Sequence, residues 1–314
     1  MIGPQFEGVT AQPRRNVEPL RAVEGSMNSA DILAADTAMG PVTLLVADLD
    51  AMTAYYRDAV ALEVLAQDGP RVTLGRGTNP VLILEHSPAL QHAGPHDAGL
   101  YHTAILFDTE RALAAAVYSV ASRHPGSFTG SADHLVSKAF YFTDPEGNGV
   151  ELYWDRDRSQ WSWAHGTIEM GTLYLDPNEF LQGNLTPEVI ENPVDGGARV
   201  GHVHLSVGDT ASARDFYVDR LGFEQTVEMP GQALFVSAGK YHHHMAMNVW
   251  NSRGAGRRAR TLGLGEVDIL VPTDDDLGAL GERMDHYGVA TRNDGRSVTF
   301  EDPWANQISV SVAR

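Results

Sequence analysis

The sequence contains no cysteine among its 314 residues. This absence excludes a disulfide framework, a thiolate metal ligand and a cysteine nucleophile. Hydrophobic residues make up 43% of the chain and charged residues 20%, which is typical of an ordinary globular protein. The chain must therefore fold around an apolar core, without covalent cross-links.

Positive charge and long apolar runs are also scarce. The 23 Lys and Arg residues oppose 41 Asp and Glu residues, which gives a formal net charge of -18. Such an acidic chain is a poor partner for nucleic acid or for an anionic membrane. No apolar run approaches the roughly 20 residues that a membrane-spanning helix needs, and residues 1–26 lack the apolar stretch of a secretory signal. We therefore expect a cytoplasmic protein without nucleic-acid or membrane partners.

One order of elements, a strand, a helix and further strands, occurs four times in the sequence. The opening strands are predicted at Val42–Val46, Leu100–Phe107, Val200–Val207 and Gly265–Val271. The first and third repeats are the most alike, and the second and fourth share a closing turn built on Asp-Pro. A period near 50 residues indicates a repeat architecture.

The repeats divide the chain into two halves, as its length suggests for domains of about 100–200 residues. We predict an N-terminal domain of modules one and two at residues 39–155 and a C-terminal domain of modules three and four at residues 200–314. Residues 156–199 show no strand alternation and are predicted to be a linker between the halves. Residues 1–38 are predicted to form a disordered N-terminal extension.

The stretch from His134 to Trp154 reads as strand, turn and strand. Its turn, residues 144–149, is Asp-Pro-Glu-Gly-Asn-Gly, which is dense turn chemistry. In the second strand Glu151 and Tyr153 point to one face, since side chains alternate along a strand. A carboxylate in an otherwise apolar strand must be paired, protonated or bound to a metal, because burying it bare is costly.

This stretch resembles the signature of the extradiol ring-cleavage dioxygenases of the vicinal-oxygen-chelate superfamily, catechol 2,3-dioxygenases among them. The matching residues, in order, are His134, Phe140, Tyr141, Asp144, Pro145, Gly147 and Glu151. Ala132 departs from the signature, which prefers Gly, Asn, Thr or a β-branched residue there. The resemblance implies an α+β fold of four βαβββ modules, the glyoxalase/bleomycin-resistance/extradiol dioxygenase fold, in two tandem two-module domains. In that fold the sheets curl in pairs into cups that hold a metal.

The resemblance also implies where the metal ligands lie: at the third residue of an opening strand and at the glutamate of a closing strand. The opening positions of the four modules are Pro41, His102, His202 and Glu266, and the closing positions of modules two and four are Glu151 and Ser309. Only modules two and three together supply a full set, which consists of His102, His202 and Glu151. We predict that these modules face each other around the metal and that modules one and four close a second, metal-free cup. Two histidines and one carboxylate are typical of non-haem Fe(II) oxygenases, and Mn(II) suits the same ligands.

Three further residues have catalytic roles implied by the resemblance. Tyr141 is predicted to hydrogen-bond the substrate and His244 to move protons during O2 activation, since a histidine gains and loses a proton near neutral pH. His134 is predicted to support the site from outside the ligand set. If the run 242–244 lies in a strand, His242 and His244 share one face and His243 takes the other.

The activity implied by the resemblance is Fe(II)-dependent extradiol cleavage of a small aromatic diol by O2, in a protein that can form a homo-oligomer through its sheet edges. Two other classes of the superfamily stay open. Glyoxalase-like isomerases and lyases use the metal as a Lewis acid and need a fourth ligand, which His244 can supply here. Metal-free antibiotic-binding proteins keep the fold and lose the ligands. His204, on the same face as His202, is an alternative ligand, and the histidine run can also be an incidental surface metal binder.

Overall fold

The structure is a computed structural model that describes residues 32–164, 167–187, 190 and 196–313. Most of the predicted N-terminal extension, residues 1–31, lies outside the described residues. Residues 32–37 pack against module three: Leu33 is buried, and its amide donates a hydrogen bond to the Gly222 carbonyl. The predicted disorder therefore does not extend to these last residues of the extension.

Four modules of a strand, a helix and three strands follow one another along the chain, as predicted. Module one contains β1 (Ala38–Val46), α1 (Leu49–Ala54) with a π turn at Tyr55–Ala59, β2 (Glu63–Asp68), β3 (Arg71–Arg76) and β4 (Asn79–His86). Module two contains β5 (Gly99–Phe107), α2 (Glu110–Arg123), β6 (Phe128–Asp133), β7 (Ser137–Thr143) and β8 (Gly149–Asp155).

Short elements occupy the connection between the halves: a 3₁₀ turn (Arg158–Gln160), β9 (Trp163–Ala164), β10 (Thr167–Ile168) and α3 (Pro177–Asn184). Module three contains β11 (Ala198–Ser206), α4 (Thr210–Arg214) with a π turn at Asp215–Arg220, β12 (Glu224–Met229), β13 (Ala233–Ser237) and β14 (Met245–Asn248). Module four contains β15 (Gly263–Val271), α5 (Asp274–His286), β16 (Thr291–Asn293), β17 (Ser297–Glu301) and β18 (Gln307–Val312).

The helix of each module begins at the same kind of cap. Asp48, Thr109, Asp209 and Thr273 each accept a hydrogen bond from the amide three residues later. Such side chains satisfy one of the free amides at a helix N-terminus and so fix where the strand ends and the helix starts. Among the described residues, no helix is long and apolar enough to cross a membrane.

The two large sheets each combine one module from each half of the chain. The strand order β12-β13-β14-β11-β5-β8-β7-β6 joins module three to module two, and β16-β17-β18-β15-β1-β4-β3-β2 joins module four to module one. The joining pairs, β5 with β11 and β1 with β15, are antiparallel. The predicted pairing of modules two with three and one with four is therefore confirmed.

One buried tyrosine–aspartate hydrogen bond joins the two modules in each half of the chain. The Tyr56 hydroxyl in module one donates to Asp144 in the closing turn of module two, and Tyr217 in module three donates to Asp302 in module four, both at 2.9 Å. Each aspartate also accepts two backbone amides and an asparagine side chain of its own turn. The aspartates of the Asp-Pro turns thus have a structural role.

Candidate metal centre

The hairpin of β7 and β8 explains the spacing between Tyr141 and Glu151. The two strands pair antiparallel around the turn that Asp144 closes, and their register sets Tyr141 directly opposite Glu151. Directly opposite residues of an antiparallel pair point to the same face. The ten-residue spacing therefore places a hydroxyl next to a carboxylate on the inner face of the sheet.

His102, Glu151 and His202 come together on that face. Nε2 of His102 lies 2.9 Å from Oε2 of Glu151, and Nε2 of His202 lies 3.2 Å from the same oxygen. One ligand atom from each residue lies within 4.8 Å of the other two. All three side chains are buried, at 6%, 2% and 2% exposure for His102, Glu151 and His202. The predicted set thus converges on one point, although its residues lie up to 100 positions apart in the sequence.

The backbone around this point is adapted to the crowding. Ala104 lies opposite His202 in β11 and beside Glu151 in β8, so that only a methyl group occupies the space between them. The register of β11 shifts on both sides of His202 and His204, and such bulges re-aim side chains. A Cβ on Gly149 would lie 2.1 Å from the Tyr101 carbonyl and 2.9 Å from Cβ of His102. The strand that carries Glu151 can therefore approach His102 only with glycine at this position.

The three side chains fit a divalent metal. Ligands bound at about 2.1 Å and at right angles to one another lie about 3.0 Å apart, which matches the two nitrogen–oxygen distances. Nε2 of His102 is buried and, although it lies near Glu151, makes no well-aligned hydrogen bond within the described part of the chain. A buried nitrogen without a partner is costly, and a bound cation would take up the lone pair of this one.

The protonation states also suit metal binding, which requires neutral imidazoles and an ionised carboxylate. Burial lowers the pKa of His202 to about 4. Burial opposes the ionisation of Glu151, but the nearby His202 and His102 imidazoles outweigh it and hold the pKa of Glu151 well below its ordinary value. At neutral pH, therefore, Glu151 is an ionised carboxylate and His202 is a neutral imidazole.

His204, the alternative ligand, lies beside the group but has another partner. The Nδ2 amide of Asn248 lies 3.0 Å from its Nε2, and its ring lies 4.9 Å from the His102 ring. Three aromatic rings surround it at 4.9 to 5.9 Å, those of Tyr101, Trp250 and Phe235. His204 therefore belongs to an aromatic wall next to the candidate metal position, while His202 is the histidine of β11 that joins the group.

His134 and Tyr141 form a hydrogen-bonded pair. Nδ1 of His134 lies 2.7 Å from the Gly171 carbonyl, and Nε2 lies 2.7 Å from the Tyr141 hydroxyl. Since a carbonyl only accepts, Nδ1 carries the proton, and in the neutral ring Nε2 accepts the proton of the Tyr141 hydroxyl. Burial, followed by the charge of Glu151, raises the pKa of Tyr141 well above its ordinary value. Tyr141 thus stays protonated between the ligand group and His134.

The structure corrects the prediction for the histidine run. β14 begins only at Met245, and the residues before it follow a turn in which Lys240 has a φ of +57°, so the strand alternation assumed for His242 and His244 does not apply. The ring of His244 packs on Tyr241 and Phe223, and its Nδ1 accepts the Ala238 amide at 3.1 Å. It is His243 whose ring lies 4.1 Å from that of His202. The sequence predicted a catalytic role for His244, but the assumed strand period did not indicate that His243 would be the residue in contact with His202.

The four-ligand alternative is not supported by this geometry. The described residues contain one group of three or more potential ligands, and that group is His102, Glu151 and His202. His244 does not belong to it. The run 242–244 is also buried throughout, which rules out its interpretation as an incidental surface metal binder.

A cavity of about 650 Å³ lies in the other cup, between modules one and four. Its wall includes Glu266, at the position that corresponds to His102, together with Arg71 and Arg292. Burial, followed by the charge of Asp268, raises the pKa of Glu266. This cup is thus lined by groups of both charges and differs in chemistry from the histidine-rich cup.

Comparison with known proteins agrees with the fold. The model of the glyoxalase/bleomycin resistance protein/dioxygenase superfamily matches residues 38–152 and 199–310. The chain belongs to this superfamily. The two matched segments correspond to modules one with two and three with four, so the superfamily fold accounts for all four modules described above.

Individual known proteins resemble the chain to different degrees. The chain is 33% identical over 273 residues to a protein named catechol-2,3-dioxygenase from Bacillus subtilis. The aligned region covers 85% of this chain and 94% of that relative. The crystal structure of glyoxalase I from Zea mays matches 88% of this chain and 92% of its own, with a TM-score of 0.52 and 16% identity. That of the cppA protein from Streptococcus pneumoniae matches 90% and 99%, with a TM-score of 0.54 and 12% identity. At such identities the two structures show the fold alone.

Proposed function

We propose that the protein is an Fe(II)-dependent extradiol dioxygenase that cleaves the ring of a catechol-type substrate with O2. The observation that carries this proposal is the buried His102–Glu151–His202 group, in a chain that is 33% identical to a protein named catechol-2,3-dioxygenase. Two imidazoles and one carboxylate on one face leave the other coordination positions open, as oxygenases that bind both substrate and O2 require.

His102, His202 and Glu151 would hold the metal, with Fe(II) proposed and Mn(II) suited to the same ligands. Bound Fe(II) would supply adjacent open positions for a catecholate and O2 and would transfer electron density between them. The protein supplies the remainder: a single negative charge in the ligand set, burial that excludes water, and aromatic surface next to the ligands.

The aromatic wall around His204 supports an aromatic substrate. Tyr101, Trp250 and Phe235 line this side of the ligand group, and aromatic rings pack favourably on one another in edge-to-face or offset arrangements. The reaction breaks the ring carbon–carbon bond beside the diol and adds both atoms of O2. A catechol thus becomes a hydroxymuconic semialdehyde with the same carbons and hydrogens and both added oxygens, so that the atoms balance without another reductant.

The side chains around the ligands would manage protons. We assign to His243 the proton-handling role that the sequence suggested for His244, because its ring contacts His202 and its Nε2 is buried without a partner in the described structure. The Tyr141 hydroxyl donates its one proton to His134, so its oxygen would accept a hydrogen bond from a hydroxyl of the substrate on the Glu151 side. A positioned acid or base of this kind contributes about 10²- to 10⁴-fold to a rate.

Oxygen uptake tests the proposal. Anaerobically Fe(II)-loaded protein is mixed with O2 and a small panel of catechols, while absorbance is followed for a yellow ring-opened product. We expect uptake in equal amount to the catechol consumed. Bound iron without uptake on any catechol would favour the isomerase class, and failure to bind iron would favour a small-molecule binding protein.

Two variants on one strand give a matched comparison. His202→Ala removes a proposed ligand and should lose both iron and activity. His204→Ala, two residues along the same strand, should retain iron because His204 pairs with Asn248 instead. Equal loss of iron in both variants would contradict the assignment of His202 as the ligand.

A further inference from the structure

A chain of three hydrogen-bonded groups runs behind the ligand group, from Asp155 through His242 to His243. Oδ1 of Asp155 lies 2.9 Å from Nε2 of His242, and Nδ1 of His242 lies 2.8 Å from Nδ1 of His243. The far nitrogen, Nε2 of His243, is buried and has no hydrogen-bond partner among the described residues.

The chemistry of the groups determines where the protons lie. A carboxylate only accepts, so Nε2 of His242 carries a proton and donates it to Asp155. In a neutral His242 the other nitrogen, Nδ1, then has a lone pair and can only accept. Nδ1 of His243 must therefore donate to it, which leaves the lone pair of His243 on Nε2.

Asp155 also accepts a hydrogen bond at its other oxygen. The Tyr241 hydroxyl donates to its other oxygen, Oδ2, at 2.7 Å, and the Tyr153 hydroxyl lies 2.8 Å from that of Tyr241. Glu151, Tyr153 and Asp155 alternate along β8 and so share its inner face. One strand thus fixes both the proposed metal ligand and the carboxylate at the start of the chain of hydrogen bonds.

We propose that Asp155 is a positioning residue that acts through His242 to hold His243 in the tautomer with a bare Nε2, ready to accept a proton from the substrate. Without Asp155, His242 can take either tautomer and His243 follows it. An Nε2 that carries a proton cannot accept one, so the fraction of protein with a working base falls. The role of the accepted proton rests on the proposed dioxygenase function; the tautomer itself does not.

The tautomer can be observed in the metal-free protein by ¹⁵N NMR of the histidine rings, since protonated and bare ring nitrogens differ widely in chemical shift. The signals among the 13 histidines are assigned with His242→Gln and His243→Gln. We expect protons on Nε2 of His242 and Nδ1 of His243, and a bare Nε2 on His243. A proton on Nε2 of His243 overturns the proposal.

Asp155→Leu removes both acceptor oxygens at nearly constant size, and we expect mixed tautomers at both histidines. Tyr241→Phe is the matched control, because it removes the other hydrogen bond of Asp155 and keeps the one to His242. Its tautomers should equal those of the unmodified protein. If Asp155→Leu does not fold, the spectrum of the unmodified protein still tests the tautomer of His243. The role of Asp155 would be contradicted if Tyr241→Phe altered the tautomers as much as the loss of His242 does.

Kinetics of the iron-loaded protein provide the second readout. Asp155→Leu should lower kcat by about 10- to 100-fold with iron content and KM nearly unchanged, while Tyr241→Phe changes kcat by less than about threefold. An unmodified protein with the expected tautomers but no oxygen uptake would refute the proposed function and leave the tautomer inference standing. Oxygen uptake together with a proton on Nε2 of His243 would support the proposed function and refute the tautomer inference.

Discussion

Glu151 and Asp155 lie four residues apart on the same face of β8, and each carboxylate meets a histidine of module three. Glu151 lies 3.2 Å from Nε2 of His202, and Asp155 lies 2.9 Å from Nε2 of His242. The two contacts cross the joint between modules two and three, where β5 pairs with β11. A single strand of module two therefore organises the histidines of module three, and neither module alone contains the site.

Replacing Glu151 should abolish metal binding. In Glu151→Gln the negative charge and one acceptor oxygen are lost, so we expect the affinity for Mn(II) or Fe(II) to fall by more than about 100-fold, beyond the 10- to 100-fold typical of groups that only orient a ligand. Anaerobic metal titration by calorimetry measures the effect. Glu146→Gln, in the same hairpin, is the control, because Glu146 accepts the Ala47 and Asp48 amides and does not belong to the ligand group. Equal affinities for the two variants would contradict the metal centre.

Tyr141→Phe should separate catalysis from metal binding. The variant loses the hydroxyl that donates to His134 and lies opposite Glu151, so we expect kcat to fall by about 10- to 100-fold with metal affinity unchanged. Steady-state oxygen uptake and metal titration provide the two measurements. Tyr118→Phe on α2, outside the site, should leave both unchanged. A loss of metal in Tyr141→Phe would show instead that the hydroxyl stabilises the ligand group.

The relation between Tyr141 and Glu151 was predictable because it is local. A tight turn and strand alternation set the register of one hairpin, so a ten-residue spacing in the sequence becomes a cross-strand contact. The pairing of modules was also predictable, since only modules two and three carry a full ligand set at equivalent positions. Because the same module is repeated in the sequence, its equivalent positions could be compared, and the long-range contact between modules two and three could be predicted.

The histidine run shows where this reasoning fails. Its apolar flank, Met245 to Met247, indicated a strand, and the strand period was extended back over residues 242–244. Gly239 and Lys240 instead have φ of +59° and +57°, and the chain after them reaches β14 only at Met245. The orientation of His242 and His243 depends on Asp155, 87 residues earlier in the sequence, and no local pattern encodes that contact.

The two tyrosine–aspartate bonds should each contribute to stability. Tyr56→Phe and Tyr217→Phe remove one donor from a buried carboxyl group, so we expect each to lower the free energy of unfolding by about 1–3 kcal/mol. The sites lie in different halves of the chain, and the double variant should be additive within about 0.5 kcal/mol. Urea unfolding measures all three values, and metal affinity should not change. A loss under about 0.5 kcal/mol in each variant would mean that these bonds do not tie the modules together.

The buried His244 should make the metal-free protein sensitive to acid. Burial, followed by the nearby His242, lowers the pKa of His244 to about 3, whereas an unfolded histidine has a pKa near 6.5. Between these values the unfolded chain binds a proton that the folded protein does not. The free energy of unfolding therefore falls as the pH drops below about 6.5, by about 1.4 kcal/mol per pH unit for this one group.

His244→Asn isolates this contribution. The side-chain oxygen of asparagine can replace Nδ1 as acceptor of the Ala238 amide, and asparagine does not titrate. Urea unfolding of both proteins from pH 7 to pH 5 should give curves whose slopes differ by about 1.4 kcal/mol per pH unit once the pH is well below 6.5, with the variant the less sensitive. Parallel curves would mean that His244 takes up its proton in the folded protein, which its packing between Tyr241 and Phe223 opposes.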